Sequence, residues 1–180
     1  MVHTHLGQRG MREGKIAAGE VEATCYRLHD TGCFTSLSPS IERTFQFEKG
    51  IRLLGYDLPQ KELTPGDNIS LRLYWEGDGP TEQSYHVFVH ALGPDGRIYG
   101  QGDAVPQEGA MPTTRWWAGE LVLDDHRIPI AEDAPPGRYT IALGLYDLET
   151  MQRLSVVGAT GKAMPQDCAL IEGVRIVPGD

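Results

Sequence analysis

The side chains of this chain that are best suited to binding a ligand are its large aromatic ones. Sugar rings stack on exposed aromatic faces, and acidic or amide groups beside them bind sugar hydroxyls. Trp116 and Trp117 are adjacent at the entrance to an alternating segment, and two neighbouring indoles cannot both face one core. We therefore expect at least one of the two at the surface. The predicted ligand-binding residues are Trp116, Trp117, Tyr74 and Tyr146.

Aromatic residues also fill hydrophobic cores, and this alternative stays open for each of them. It is the preferred interpretation for Trp75, which follows the alternating apolar positions Ile69, Leu71 and Leu73. A side chain in that register faces the interior of the sheet. We therefore predict Trp75 as a core residue.

A second set of candidates consists of carboxylates that could serve glycoside hydrolysis. Glu120 and Asp124 lie on one predicted strand together with Asp125, and Asp147 ends another. Two carboxyl groups about 5–9 Å apart are the arrangement that glycosidases use. Charged residues at strand ends are ordinarily solvated, so a hydrolase is the alternative interpretation.

The histidines give a third candidate. His86 and His90 lie on one face of a predicted strand but about 13 Å apart at ~3.3 Å per residue, so they cannot share one ion without a bulge. His90 and Asp103 lie on either side of a predicted GPDG hairpin turn at 93–96, which predicts a cross-strand hydrogen bond. A catalytic role for His90 and Asp103 would need further groups. The nearest by composition are Asp124, Asp125 and His126.

Other kinds of chemistry find little support. There is no CxxC pair, no GxSxG elbow and no phosphate-binding glycine loop. We predict no metal site and no cofactor, since His3 and His5 could hold a metal only loosely. Cys25 and Cys33 either close a short disulfide or remain free thiols.

The composition is that of an acidic globular protein. The 180 residues carry a net charge of -9 without a concentrated basic stretch, which argues against nucleic acid as a partner. No run approaches the ~18 apolar residues that a membrane span needs. The first residues are polar, so we expect no signal peptide in this chain. The oligomeric state is left open.

The elements that must position these candidates are β-strands, because apolar and polar residues alternate along most of the chain from residue 43. The strand at 51–58 is predicted to alternate strictly, with one face formed by Ile51, Leu53 and Gly55 and the other by Leu54, Tyr56 and Leu58. About eight or nine strands separated by turn sequences predict an all-β, antiparallel β-sandwich, Ig-like or jelly-roll in strand order.

The chain is predicted to divide into an N-terminal extension at 1–42 and a β-sandwich domain at 43–180. Within the extension only VEATCYRL (21–28) resembles a strand, which could add to the sheet. Residues 101–119 are the longest connection without periodicity, and loops of this length in a compact β domain tend to be functional or mobile.

Several motifs of the chain resemble a known family. They are IRLLGYDL (51–58), LTPGDNISLRLYW (63–75), HVFVHAL (86–92), GQGDAVP (100–106), PTTRWWAGE (112–120), and APPGRYTIALGLYD with QRL (134–147 and 152–154). In order and spacing over about 43–157, they resemble the β-sandwich module found alone or at the C-terminal, extracytoplasmic end of bacterial mannosyltransferase-type membrane glycosyltransferases. The resemblance implies a sandwich fold and a place outside the cytoplasm. It does not imply glycosyl transfer, because the membrane-embedded catalytic portion is absent.

The leading functional prediction is a non-catalytic accessory module that binds a carbohydrate or a partner protein. The alternative is a small glycan-acting hydrolase that uses Glu120 and Asp124, or His90 and Asp103. A third possibility is a sandwich that scaffolds an assembly, which predicts a large apolar surface patch.

Overall fold

Strands make up nearly all the regular structure of the described residues. The computed structural model describes residues 11–18, 21–27 and 38–179. The strands in this part of the chain are β1 (Met11–Ala18), β2 (Val21–Arg27), β3 (Ile41–Phe47), β4 (Ile51–Asp57), β5 (Glu62–Leu63), β6 (Asn68–Gly77), β7 (Tyr85–Leu92), β8 (Ile98–Gln101), β9 (Glu120–Pro129), β10 (Gly137–Asp147), β11 (Val156–Gly158) and β12 (Ala169–Ile176). Short 3-10 turns lie at Glu48–Gly50, Pro106–Gly109, Thr113–Arg115 and Pro165–Asp167.

Ten of these strands form two five-stranded sheets that pack face to face. The first sheet has the strand order β11-β3-β4-β6-β9, and the second has the order β5-β12-β10-β7-β8. Neighbouring strands are antiparallel except for β12 and the two-residue strand β5. The predicted all-β sandwich is therefore confirmed.

The strands β1 and β2 form a two-stranded antiparallel sheet that pairs with neither of the larger ones. The strand β2 covers most of the segment in which the sequence predicts a strand. His3, His5 and Cys33 lie outside the described residues, and with them the loose metal site and the proposed partner of Cys25.

The core lies between the two large sheets, where the alternating apolar positions meet. In β6 the buried side chains include Ile69, Leu71, Leu73 and Trp75, so the prediction that Trp75 belongs to the core is confirmed. Phe47 packs edge-on against the Trp75 indole, with ring centroids 5.6 Å apart. Full burial of one such large side chain contributes about 1.5–3 kcal/mol of transfer free energy.

The strict alternation predicted for residues 51–58 is wrong, because a β-bulge interrupts β4. Leu53 pairs with Trp75 of β6 and Gly55 pairs with Tyr74, so Leu54 is the extra residue. A bulge residue shifts the alternation by one position. As a result Tyr56 and Leu58 are buried together with Ile51 and Leu53, although the sequence pattern places them on opposite faces. The bulge also moves Asp57 onto the outer face of the sheet.

No helix in the described parts of the chain is long and apolar enough to cross a membrane.

Candidate functional site

An open cleft of about 1470 Å³ lies on the outer face of the first sheet. Its floor consists of the polar positions of β6 and β9, which alternate with the buried ones. The rims come from the segments before β3 and after β4 and from the loop before β9. The residues that line this sheet cleft include Ser40, Asp57, Gln60, Asp67, Ser70, Arg72, Tyr74, Glu108, Asp125 and Arg127.

A row of hydrogen-bonded side chains crosses the floor of the sheet cleft. Arg72 donates to both carboxylate oxygens of Asp125, with Nε–Oδ1 at 2.6 Å and an Nη2–Oδ2 distance of 2.8 Å. The Tyr74 hydroxyl donates to Asp57 Oδ2 at 2.6 Å, and the Ser40 backbone N–H donates to Asp57 Oδ1 at 2.6 Å. We call Asp57, Tyr74, Arg72 and Asp125 the polar row. Its members come from three adjacent strands.

The strand register explains why these side chains meet. Arg72 is directly opposite Asp125 across β6 and β9, and it is directly opposite Asp57 across β6 and β4. Side chains directly opposite on one face of an antiparallel pair lie about 4.5–5.5 Å apart at their Cβ atoms. The register therefore places one guanidinium between two carboxylates.

The polar row perturbs the protonation of its members. Partial burial opposes ionisation of Asp57, but the hydrogen bonds from Tyr74 and Ser40 outweigh it and hold the Asp57 pKa below its usual value. Burial, together with the bond to Asp57, raises the pKa of Tyr74 to about 12. The bidentate bond to Asp125 raises the pKa of Arg72. The row is therefore ionised at Asp57 and Arg72 at neutral pH, with Tyr74 as a neutral donor.

The rims of the sheet cleft are also fixed by hydrogen bonds. The Gln60 side chain accepts from the Ser70 backbone and donates to the Ser70 hydroxyl, both at 3.1 Å. Asp67 accepts from the backbone and the hydroxyl of Thr64 at 2.7 and 2.8 Å, which lowers the pKa of Asp67. These contacts hold polar groups at one end of the cleft.

A buried carboxylate anchors the loop before β9, which forms another rim of the sheet cleft. Asp124 accepts from the Gln107 backbone at 2.8 Å and from the Trp75 indole at 3.3 Å, and it contacts His126 Nε2 at 2.8 Å. Gln107 also donates through its side chain to the Leu123 carbonyl at 2.7 Å. The left-handed backbone at Gln107 and Glu108, with φ of 53° and 52°, is held by these bonds and brings Glu108 to the cleft.

The two adjacent tryptophans have opposite environments. Trp117 is 56% exposed, as expected for one member of the pair. Trp116 is fully buried and donates from its indole to the Met111 carbonyl at 2.9 Å, so it does not present the exposed aromatic face for which it was predicted as a ligand-binding residue. The reason is that the turn before β9 directs the Trp116 ring against Gly77 of β6.

The backbone that carries Trp117 is locked to Glu120. The Trp117 N–H donates to Glu120 Oε2 at 2.9 Å, and the Glu120 N–H donates to the Trp117 carbonyl at 3.0 Å. Glu120 is itself buried, and its Oε1 has no hydrogen-bond partner. The exposed indole thus stands on a rigid turn, outside the residues that line the sheet cleft.

The carboxylates proposed for hydrolysis do not converge on the sheet cleft. Glu120 and Asp124 are both buried on the inner side of β9. Four residues along one strand separate them by about 13 Å at ~3.3 Å per residue. Glu120 supports the turn at Trp117, and Asp124 anchors the loop at Gln107.

The His90 and Asp103 pair lies on the other sheet. His90 Nε2 is 3.5 Å from Asp103 Oδ1, and the same carboxylate accepts from the Val89 backbone at 3.4 Å. Tyr146 lies on the same outer face, where its ring contacts those of His86 and Phe88 at centroid distances of 5.5 and 6.3 Å. Among the described residues, no group of three or more His, Cys, Asp or Glu side chains could hold a metal ion.

Of the four predicted ligand-binding residues, only Tyr74 lines the sheet cleft. Asp125 and His126, which the sequence offered as further groups for catalysis, line it as well. From the sequence alone, Asp57, Arg72 and Gln60 were not expected at a binding site, and Asp125 was considered only as a possible catalytic group. The available signal was that Arg72 and Asp125 occupy outward positions of alternating segments, where charges of opposite sign can pair across strands.

Two comparisons with known proteins identify no relative of this chain. No model of a known protein family matches the chain. A search of curated proteins likewise finds no match.

Proposed function

We propose that this chain is a non-catalytic accessory module that binds an extended glycan in the sheet cleft. The observation that carries the proposal is the polar row, because its side chains hold one another in fixed positions across three strands. Groups that are already ordered lose little conformational entropy when a ligand binds. Carboxylate, guanidinium and hydroxyl groups supply both the acceptors and the donors that sugar hydroxyls require.

The size and shape of the cleft favour a chain-like ligand. Its volume of about 1470 Å³ exceeds the roughly 300–1,000 Å³ of a typical small-molecule pocket. The cleft is open and follows the face of the sheet across β4, β6 and β9. An oligosaccharide that lies along this face would contact the polar row and the Gln60 and Ser70 pair together.

The resemblance to the extracytoplasmic module of mannosyltransferase-type glycosyltransferases supports the same proposal. Two of its motifs, IRLLGYDL and LTPGDNISLRLYW, contain Asp57, Arg72 and Tyr74 of the polar row. We extend the proposal accordingly to a module that acts outside the cytoplasm beside glycan-processing proteins.

The hydrolase alternative has less support from the geometry. A general acid or base must come within about 2.6–3.2 Å of the proton that it transfers, directly or through one water. Glu120 and Asp124 face the interior and already serve protein donors. Asp57 and Asp125 do face the cleft, but each is engaged with a neighbouring side chain of the polar row.

Trp117 offers a second surface for the same function or for a protein partner. An exposed indole on a rigid turn provides a large apolar contact at low entropic cost. Because Trp117 does not line the sheet cleft, the two surfaces can be tested separately.

The test is calorimetric titration with a panel of soluble polysaccharides, comparing the wild type with Asp125→Ala, Gln60→Ala and Trp117→Ala. We expect at least one glycan to bind. Each cleft variant should weaken binding about tenfold, the effect of losing ~1.5 kcal/mol of hydrogen bonding, whereas Trp117→Ala should bind as the wild type does. Far-UV circular dichroism of each variant controls for folding.

Two outcomes would overturn parts of the proposal. Absence of binding to every glycan in the panel would refute the glycan-binding function. Binding that is lost in Trp117→Ala but retained in both cleft variants would move the site to the loop before β9.

A further inference from the structure

We infer that the sheet cleft, if it binds glycans as proposed above, prefers cationic amino sugars to neutral sugars and neutral sugars to acidic ones. The preference follows from the excess of carboxylates over guanidinium groups around the cleft.

Carboxylates outnumber guanidinium groups around the cleft. Four acidic side chains line it against two arginines, namely Asp57, Asp67, Glu108 and Asp125 against Arg72 and Arg127. Like charges brought to a common surface repel one another, and a positively charged ligand is attracted to the excess. The local charge therefore has the same sign as the net charge of -9 of the whole chain.

The arginine on the cleft floor already binds one carboxylate. Arg72 offers Nε and Nη2 as a planar pair of donors, and Asp125 already occupies both at 2.6 and 2.8 Å. Bidentate capture of a carboxylate, sulfate or phosphate is the way in which arginine recognises anions. An acidic sugar would therefore have to share the Arg72 guanidinium with Asp125, whose charge already offsets that of the arginine.

The carboxylates retain acceptor capacity. Asp57 accepts one hydrogen bond at each oxygen, and an ionised carboxylate has about four lone-pair sites. Glu108 is brought to the rim by the bonds of Gln107 to Asp124 and Leu123. Glu108 lines the same cleft as the floor residue Asp125. An ammonium group in the cleft would find acceptors on both sides.

The experiment uses three β-1,4-linked oligomers of equal length, composed of glucosamine, glucose or glucuronic acid. They share a backbone and differ in charge. At 10 mM salt we expect the glucosamine oligomer to bind about threefold tighter than the glucose oligomer and the glucuronic acid oligomer about threefold weaker, since exposed charge pairs contribute ~0.2–1 kcal/mol. At 1 M salt the screening length falls from about 30 Å to about 3 Å, and the differences should disappear.

A pair of variants separates the charge of the cleft from the charge of the whole protein. Glu108→Gln removes one rim carboxylate and should reduce the ratio of glucosamine to glucuronic acid affinity about twofold. Glu149→Gln makes the same chemical change at an exposed position in the turn after β10, away from the cleft, and should leave that ratio unaltered.

The possible results distinguish this inference from the proposed function. Binding of the glucuronic acid oligomer as tight as that of the glucose oligomer overturns the charge preference and leaves the glycan-binding function standing. Absence of binding by the glucosamine oligomer, when another glycan of the panel binds, has the same meaning. Equal ratios in Glu108→Gln and the wild type also overturn the inference. Failure of every oligomer and every panel glycan to bind refutes the proposed function itself.

Discussion

Asp124 Oδ2 lies 2.8 Å from His126 Nε2, and both side chains are buried two residues apart on the inner side of β9. The Trp75 indole and the Gln107 backbone N–H also donate to the Asp124 carboxylate. Its position connects the core of the sandwich to the loop that carries Glu108. The stability of the pair therefore bears on the shape of the sheet cleft.

The first prediction concerns the pH dependence of stability. Burial opposes protonation of His126, but the contact with Asp124 outweighs it and raises the His126 pKa in the folded protein. The protonated ring therefore adds stability that is fully present below about pH 6.5, the ordinary histidine pKa, and is lost as the pH rises through the higher folded-state pKa. Relative to His126→Gln, the wild type should lose free energy of unfolding as the pH rises from that value.

Urea denaturation of both proteins between pH 5.5 and 8.5 measures this difference. The glutamine keeps an amide donor for Asp124 but does not titrate. A difference between the two proteins that is constant or grows with pH would contradict the prediction.

The second prediction concerns the carboxylate itself. Asp124→Asn leaves one acceptor oxygen where the donors of Gln107, Trp75 and His126 now use two, so a buried donor loses its partner. We expect the free energy of unfolding to fall by about 1–3 kcal/mol. Asp125→Asn is the matched control, since it makes the same change in the next residue of β9, where the ion pair with Arg72 is partly exposed and contributes only ~0.2–1 kcal/mol. Equal losses in the two variants, measured by chemical denaturation, would show that Asp124 is no structural anchor.

The fold could be predicted from the sequence because alternation is a local property. In β6 the apolar residues Ile69, Leu71 and Leu73 fall on every second position, and each is buried. The bulge at Leu54 could not be predicted, because it depends on how β4 pairs with both β3 and β6. The sequence of one strand does not specify which residues of the neighbouring strands it pairs with.

The site was less predictable for the same reason. Arg72 and Asp125 are 53 residues apart in the chain and meet only because β6 and β9 pair in one particular register. Tyr74 could be nominated as an aromatic residue, but its partner Asp57 lies on the outer face only because of the bulge. For Trp116 and Trp117, the sequence indicates that one indole is exposed, whereas the Met111 carbonyl and Gly77 determine which one.

The third prediction separates the two tryptophans by stability. Trp116→Ala removes a fully buried indole and leaves a cavity, which should lower the free energy of unfolding by about 3–5 kcal/mol. Trp117→Ala truncates a side chain that is 56% exposed and should lower it by clearly less, about 0.5–1.5 kcal/mol. Thermal or urea unfolding of the two variants tests the assignment of buried and exposed ring. The reverse order of stabilities would invalidate it.

The fourth prediction concerns the glycine beside the bulge. A Cβ at Gly55 would collide with the Ile41 carbonyl and with the ring of Pro39, which packs against this strand at the edge of the sheet cleft. Backbone atoms cannot yield as a flexible side chain can, so we expect Gly55→Ala to lower the free energy of unfolding by about 1–3 kcal/mol. At Gly102 the nearest atom to an added Cβ is the Ile128 side chain at 3.4 Å, an ordinary contact, which makes Gly102→Ala the matched control. If Gly55→Ala unfolds at the same urea concentration as the control, the close approach between β4 and the segment before β3 is absent, and that rim of the cleft is placed incorrectly.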